Sequence, residues 1–331
     1  MSNIAIVGAT GLVGSTFLKV IEQYGIQIDE LRLFASSRSI GKIISFKGKE
    51  YIVDEIKDGS FIGIDYALFS AGGETSLKYS KQAVNEGAVV IDNSSAFRMD
   101  KDVPLVVPEI NIEDAYDASL IANPNCSTIQ AVLPLKALSD RFSIQSVSYT
   151  TYQAVSGSGY NGINDLLQTR VGKDPEFYPY NITETCIPQI DVFLDDGYTK
   201  EEHKMMNETR KILHDDSLKV SATCVRVPVL NTHAVSMSIE LNEVPNLEEV
   251  KELLSNYEGI VVTDNPSENI YPVSTIANET DFVYVGRIRK DKINPKGLLL
   301  YTVSDNVRKG AASNAVQIMM KLIERGGDDN V

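Results

Sequence analysis

The chain has 331 residues, of which 43% are hydrophobic and 23% charged, the balance of an ordinary globular protein with room for about two domains. Its formal net charge of -14 argues against nucleic acid or an anionic membrane as partner, because both demand a basic face. Three cysteines without a CxxC pair, and three scattered histidines, exclude a disulfide framework and offer no metal-ligand spacing.

The first residues enter a short apolar strand with none of the basic and long apolar character of a signal peptide, and no run reaches the length of a membrane span. A cytoplasmic protein is therefore expected. Ile4–Val7 predicts a buried strand, a glycine turn follows, and Val13 to about Tyr24 carries helical spacing. Leu31–Ala35 predicts a second strand, which runs into Ser36, Ser37, Arg38 and Ser39. Tyr66–Phe69 and Val89–Ile91 are further apolar strands, separated by a polar helix. Strands that alternate with helices and end in glycine predict a Rossmann-type parallel sheet with its ligand at the carboxyl ends of the strands.

The style changes after Asn125. A helix is predicted from Ser127 to about Leu138, then a long strand from Ile144 to Val155. Ala234–Leu241 alternates with Val235, Met237, Ile239 and Leu241 on one face, and Phe282–Ile288 and Leu298–Ser304 are further strands. This pattern predicts an α+β domain with a mostly antiparallel sheet. Lys309 to about Glu324 has helical spacing, whereas Gly172–Asp196 shows no period that places it.

Gly8-Ala9-Thr10-Gly11-Leu12-Val13-Gly14 lies between a strand and a helix, where glycine allows a tight turn and backbone N–H groups face a pyrophosphate. The alternative is a glycine-rich turn without a ligand. The second strand does not end in the acid that would grip a free ribose 2′-hydroxyl. Arg38 stands there instead, and a guanidinium suits a 2′-phosphate, which makes NADP the better reading than NAD.

Asn123-Pro124-Asn125-Cys126-Ser127-Thr128 opens a helix. A cysteine at a helix N-terminus feels the positive end of the dipole, which favours the thiolate. Cys186 and Cys224 fit instead the common fate of a free cysteine, a small buried apolar residue. Of the histidines, His203 lies on a polar helix and His214 among charges, so position favours His233 as acid/base partner. Arg226 lies in an otherwise apolar stretch, where a charge needs a partner.

These residues resemble the aspartate-β-semialdehyde dehydrogenases. The matching segments run in order from Ile6 to Gln317: GATGLVG at Gly8, SSRSIGK at Ser36, SAGGETS at Ser70, DNSSAFRM at Asp92, NPNCST at Asn123, TYQAVSGSG at Thr151, EEHKMMNETRKI at Glu201, CVRVPVLNTHAVS at Cys224 and VSDNVRKGAASNAVQI at Val303. The resemblance implies that Cys126 forms an acyl-thioester, that Gln153 orients the substrate and that His233 is the acid/base catalyst. It implies that Arg226 pairs with the substrate α-carboxylate, Glu201 with its amino group, and Arg98, Asn125 and Lys204 with phosphate. Gly8, Thr10, Gly11, Leu12, Val13, Arg38, Ser39, Ser156, Gly157 and Gln317 would contact NADP, with no metal. Glu201 and Lys204, three residues apart, would share one helix face.

The implied organisation is an NADP-binding domain of residues 1–125 and 306–331 around a catalytic and dimerisation domain of residues 126–305, in a homodimer or tetramer. The implied reaction is NADPH-dependent conversion of L-aspartyl-4-phosphate to L-aspartate 4-semialdehyde, in lysine, threonine and methionine biosynthesis. The rivals are an N-acetyl-γ-glutamyl-phosphate reductase, which has no use for an acid at Glu201, a malonyl-thioester reductase, and a non-catalytic NADP-binding regulator.

Overall fold

Alternation of strand and helix builds the first sheet. In this computed structural model, which describes residues 2–328, β1 (Ser2–Val7) leads through the glycine turn into α1 (Leu12–Gln23) and back into β2 (Ile28–Phe34). There follow β3 (Ile43–Phe46), β4 (Lys49–Asp54), β5 (Tyr66–Phe69), α2 (Gly73–Asn85), β6 (Val89–Asp92), α3 (Pro108–Asn111) and β7 (Leu120–Ala122). They form a 7-stranded sheet in the order β3-β4-β2-β1-β5-β6-β7. Every ladder is parallel except the β3–β4 hairpin at its edge.

Both faces of β1 are buried, as a parallel sheet requires. Ile4 and Ile6 join Phe17 and Ile21 of α1 in one cluster, and Ala5 and Val7 join Phe61 and Phe69 in another. The hairpin is not evident in the sequence because only Phe46 and Val53 of its two strands are buried, while Ile43 and Ile52 face outward. Its turn is Lys47-Gly48 with φ of 49° and 75°, the left-handed pair a two-residue hairpin favours.

The second compact unit is Asn125–Gly310, the first being residues 2–124 with 311–328. It contains α4 (Cys126–Ser139), β8 (Ile144–Gln153), α5 (Gly159–Arg170), α6 (Lys200–Leu213), β9 (Lys219–Arg226) and β10 (His233–Leu241). It continues with α7 (Leu247–Asn256), β11 (Ile260–Val262), α8 (Ser274–Ala277), β12 (Val283–Lys290) and β13 (Gly297–Ser304). The 6-stranded sheet runs β11-β12-β13-β10-β8-β9. Its middle is antiparallel as expected, but each edge strand, β11 and β9, is parallel to its neighbour, so the sheet is mixed. The long crossover through α5 and α6 is what lets β9 run parallel to β8. On β10 the predicted face holds: Val235, Met237, Ile239 and Leu241 are buried, Ser238 and Glu240 exposed.

Residues 172–196 contain neither helix nor strand. Side chains and isolated bridges satisfy their backbone instead. The buried Asp165 carboxylate accepts the N–H groups of Glu176 (2.6 Å) and Phe177 (2.8 Å), and Ile187 and Phe193 bridge to Arg226 and Thr199. The last element among the described residues is α9 (Ser313–Asp328), whose Ala315, Val316 and Met319 belong to the first unit's core. No helix among the described residues is long and apolar enough to cross a membrane.

At the glycine turn, Gly8 (φ 89°) donates to Phe34 O at 2.8 Å, and a Cβ on Gly14 would stand 2.0 Å from Gly8 O. Gly14→Ala must push α1 off the end of β1. A loss of about 1–3 kcal/mol is expected, the usual range for overpacking. Urea denaturation with fluorescence and circular dichroism measures it, and an unchanged midpoint refutes the packing account.

Candidate active site

Sheet topology collects the second unit's chemistry at one edge. Parallel β8 and β9 end together, with Gln153 paired to Arg226, and antiparallel β10 begins there with His233. Gln153, Arg226 and His233 are each 5% exposed or less. The Arg226 Nη1 donates to Ala154 O at 2.7 Å, and the Ala154 N–H donates to His233 Nδ1 at 2.9 Å. With Nδ1 accepting, the proton of the neutral ring sits on Nε2, which is buried without a hydrogen-bond partner among the described residues. Gly157 leaves that nitrogen its space, for a Cβ there would lie 2.8 Å from Arg226 Nη1 and 3.1 Å from His233 Nε2. Burial, and then the Arg226 charge, bring the His233 ring down to about 3, so it is neutral at neutral pH.

Cys126 is the first residue of α4, one place earlier than the sequence predicts. Asn125 caps the helix, its Oδ1 accepting the N–H of Ser127 at 2.9 Å and of Thr128 at 3.3 Å. The Asn125 N–H donates to Glu208 Oε2 at 2.6 Å, and its Nδ2 donates to Glu201 Oε1 at 2.8 Å. Gly310 packs so near that a Cβ on it would be 2.8 Å from Cys126 Cβ. Cys126 is partly exposed, and Cys224 is buried, which pushes its thiol up. Cys186 is exposed, contrary to its expected burial, because it lies on the irregular segment, which has no inner face to hide it.

Glu201, on α6, joins these groups. Its Oε1 also accepts Gln153 Nε2 at 3.1 Å, and its Oε2 accepts Lys204 Nζ at 3.0 Å, so the predicted shared face exists. Burial works to raise this carboxyl, but Lys204 and then Asn125 and Gln153 outweigh it and bring it down to about 2. Lys204 bonds Asp191 as well, at 2.9 Å. His203 pairs with Asp196 at 2.7 Å on the partly exposed side of α6, away from this cluster. Ser156 is held by Asn231 and Asn306, and Asn306 Oδ1 also accepts the Thr232 N–H at 2.9 Å. Ala154, Asn306, Gly310 and Asp191 have no local signature as site residues. Only the glycine in RKGAA, where no turn is predicted, hints at a close approach.

The first unit holds the other predicted residues. No side chain caps α1, whose first residues are Leu12 and Val13, so its N-terminal donors are open to an anion. Thr10 Oγ1 donates to Ser39 Oγ at 3.2 Å, Ser39 is buried, and Arg38 beside it is exposed. A cleft of about 240 Å³ at the strand ends is lined by Val7, Ala35, Ser36, Ser37, Ala71 and Thr75. An open helix start beside such a cleft fits a dinucleotide. Gln317, on α9, donates to Tyr24 Oη at 3.2 Å. Arg98 is buried and braced by carbonyl oxygens of Asn123 (2.8 Å) and Asn93 (2.9 Å). Among the described residues no cluster of His, Cys, Asp and Glu suits a metal ion.

The chain matches the family models described as the semialdehyde dehydrogenase NAD binding domain over residues 3–118 and the semialdehyde dehydrogenase dimerisation domain over residues 135–309. It is 54% identical to the aspartate-semialdehyde dehydrogenase of Aquifex aeolicus, covering 98% of each chain, and 45% identical to that of Bacillus subtilis, covering 97% of each. Among solved structures it resembles aspartate semialdehyde dehydrogenase II of Vibrio cholerae complexed with ASA, with TM-score 0.93, 44% identity and 98% of each chain covered. It also resembles the Candida albicans enzyme with NADP, with TM-score 0.77 and 27% identity over 96% of this chain and 97% of that one. With its strand-edge cluster around Cys126's helix cap and its matches spanning both units, the chain belongs to the semialdehyde dehydrogenase family, among the aspartate-semialdehyde dehydrogenases.

Proposed function

We propose that this chain catalyses the NADPH-dependent reductive dephosphorylation of L-aspartyl-4-phosphate to L-aspartate 4-semialdehyde, which feeds lysine, threonine and methionine biosynthesis. The observation that carries the reading is the buried, ionised Glu201 joined through Asn125 to the helix start of Cys126, with the buried Arg226 on the same sheet edge as Gln153. An acid and a guanidinium complement the ammonium and α-carboxylate of an amino acid. The N-acetylated substrate of the rival reductase brings no cation to match Glu201.

The Cys126 thiolate attacks the acyl carbon of the substrate, the C–O bond to phosphate breaks, and a thioester remains on Sγ. Gln153 orients the carbonyl, and Lys204, Asn125 and Arg98 are the residues assigned to the leaving phosphate. Bound NADPH supplies the hydride that reduces the thioester. The neutral His233 ring donates an Nε2–H hydrogen bond to the oxyanion of the resulting adduct and keeps its proton; the oxyanion's electron pair then re-forms the carbonyl as the C–S bond breaks, which gives the aldehyde and restores the thiolate. For the cofactor, Gly8, Thr10, Gly11, Leu12 and Val13 offer the turn and helix start, and Arg38 and Ser39 the 2′-phosphate contacts. Ser156, Gly157 and Gln317 are the remaining assigned contacts. Residues 1–125 and 306–331 are the NADP-binding domain and 126–305 the catalytic one. The chain self-associates through the latter as a homodimer, with pairing of dimers as the route to a tetramer.

The deciding experiment is phosphate-dependent reduction of NADP by aspartate semialdehyde. Cys126→Ala should abolish turnover while NADP binding persists, and mass spectrometry should find the acyl adduct on Cys126. An active alanine variant, or an adduct confined to the exposed Cys186, sinks the mechanism.

Arg38→Ala should raise the KM for NADP by about ten- to a hundredfold, the worth of one charge-assisted phosphate contact, and leave that for NAD nearly unchanged. Equal losses with both cofactors would mean that Arg38 shapes the loop.

The unfolded His233 ring takes a proton near pH 6.5, and the folded ring refuses it until about 3, so this group makes stability fall as pH drops through that window. Nitrogen-15 NMR should show a neutral ring with its proton on Nε2 throughout the range from about pH 5 to 8. A midpoint inside that range, or a proton on Nδ1, contradicts the assignment.

A further inference from the structure

Lys204 holds two carboxylates at once, Glu201 at 3.0 Å and Asp191 at 2.9 Å. The first pair follows from helical spacing alone, since the two residues are three apart on α6. Nothing in α6 requires the second. Asp191 arrives from the segment between α5 and α6, with a φ of 67° in the left-handed region that glycine, asparagine and aspartate adopt most readily.

That segment is fastened on both sides of Asp191. Ile187 exchanges main-chain hydrogen bonds of 2.9 and 2.8 Å with Arg226, and the Lys200 N–H donates to Val192 O at 3.0 Å. Asp191 Oδ1 accepts the Val192 N–H at 2.9 Å, which leaves Oδ2 for the ammonium. The contact is thus built into the fold. It is also the open half of the triad: the Lys204 and Asp191 side chains are 25% and 34% exposed, whereas that of Glu201 is 6% exposed. A dissolved anion reaches this half first. Burial opposes ionisation of Asp191, but its bond to Lys204 prevails and holds the carboxyl below its ordinary value.

We propose that Asp191 is a positioning residue that occupies the phosphate subsite of Lys204 as an internal anion, which phosphate displaces on entry and which takes the ammonium back as phosphate leaves. This rests on the reading of Lys204 as a phosphate ligand. An ammonium balanced by Glu201 alone would hold a phosphate dianion more tightly. Asp191 lowers that affinity and presents the ammonium in a fixed place when no phosphate is there. The exchange swaps one ion pair for another and makes or breaks no covalent bond.

The test is Asp191→Asn. Asparagine keeps an oxygen for the Val192 N–H and tolerates the left-handed backbone, so the segment retains its shape. In the phosphorylating direction the KM for phosphate should fall by about three- to tenfold, with those for semialdehyde and NADP within about twofold of the parent, the range expected on removing a partly screened ionic competitor. Asp191→Glu restores the carboxylate and should return the phosphate KM towards the parent value. In parallel, inorganic phosphate should raise the Tm of Asp191→Asn more than that of the parent, and Lys204→Ala should erase the phosphate effect in both backgrounds. A phosphate KM that is unchanged or raised overturns the proposal, as does an equal fall in all the constants. If the parent shows no phosphate-dependent turnover, the reaction assigned above falls, and the melting series alone decides the role of Asp191.

Discussion

Ala154 gives both of its main-chain groups to the site. Its carbonyl oxygen accepts the Arg226 guanidinium and its N–H donates to the His233 ring, so one residue's backbone sets the distance between a fixed cation and a neutral imidazole. Side-chain rotamers have little freedom to alter that spacing. The residue before it, Gln153, reaches Glu201, and Gly157 after it clears the space in front of the guanidinium and the imidazole. All of this depends on β8 ending where it does. Because side chains alternate along a strand, a slip of one residue against β9 or β10 would turn Gln153 and Arg226 to the opposite face.

The charges of the second unit are arranged for a ligand that carries several of its own. A chain with a net charge of -14 places two buried or half-buried cations, Arg226 and Lys204, close to Glu201. None of the three is left bare, since an unmatched buried charge costs several kcal/mol. Arg226 rests on a carbonyl, Lys204 on carboxylates, and Glu201 on two amides and an ammonium. These partners are polar but replaceable, which lets a zwitterion enter without first exposing an orphan charge. Cys126 obtains its electrostatic help from the start of α4.

Much of the first unit was legible because its strands are buried on both faces and carry unbroken apolar runs, with glycine marking the turn. The β3–β4 hairpin was not, since its two buried side chains leave no period to follow. Cys126 announced itself through its place at a helix start. Gln153 and Glu201 did not, because they meet across tens of residues of chain, and the spacing of Lys204 from Glu201 reads equally as a solvated helix pair; only the resemblance to a family assigned them roles. Residues 172–196 resisted reading for a different reason. Their order comes from carboxylates such as Asp165 taking backbone N–H groups, a device that leaves no repeat, and for the same reason the exposure of Cys186 could not be foreseen. Ala154 works through its backbone, to which any residue type but proline would contribute alike.

Thr232, the residue before His233, is a β-branched residue at φ 75°, and its buried hydroxyl has no hydrogen-bond partner among the described residues. Either feature costs on the order of 1–3 kcal/mol. The chain tolerates both, with Asn306 gripping the Thr232 N–H to hold the bend that turns the imidazole inward. A selection for heat resistance alone would be drawn to this position, where glycine relieves the strain at a stroke. The same relief would loosen the ring it presents, so thermal robustness and a well-aimed imidazole pull this one residue in opposite directions.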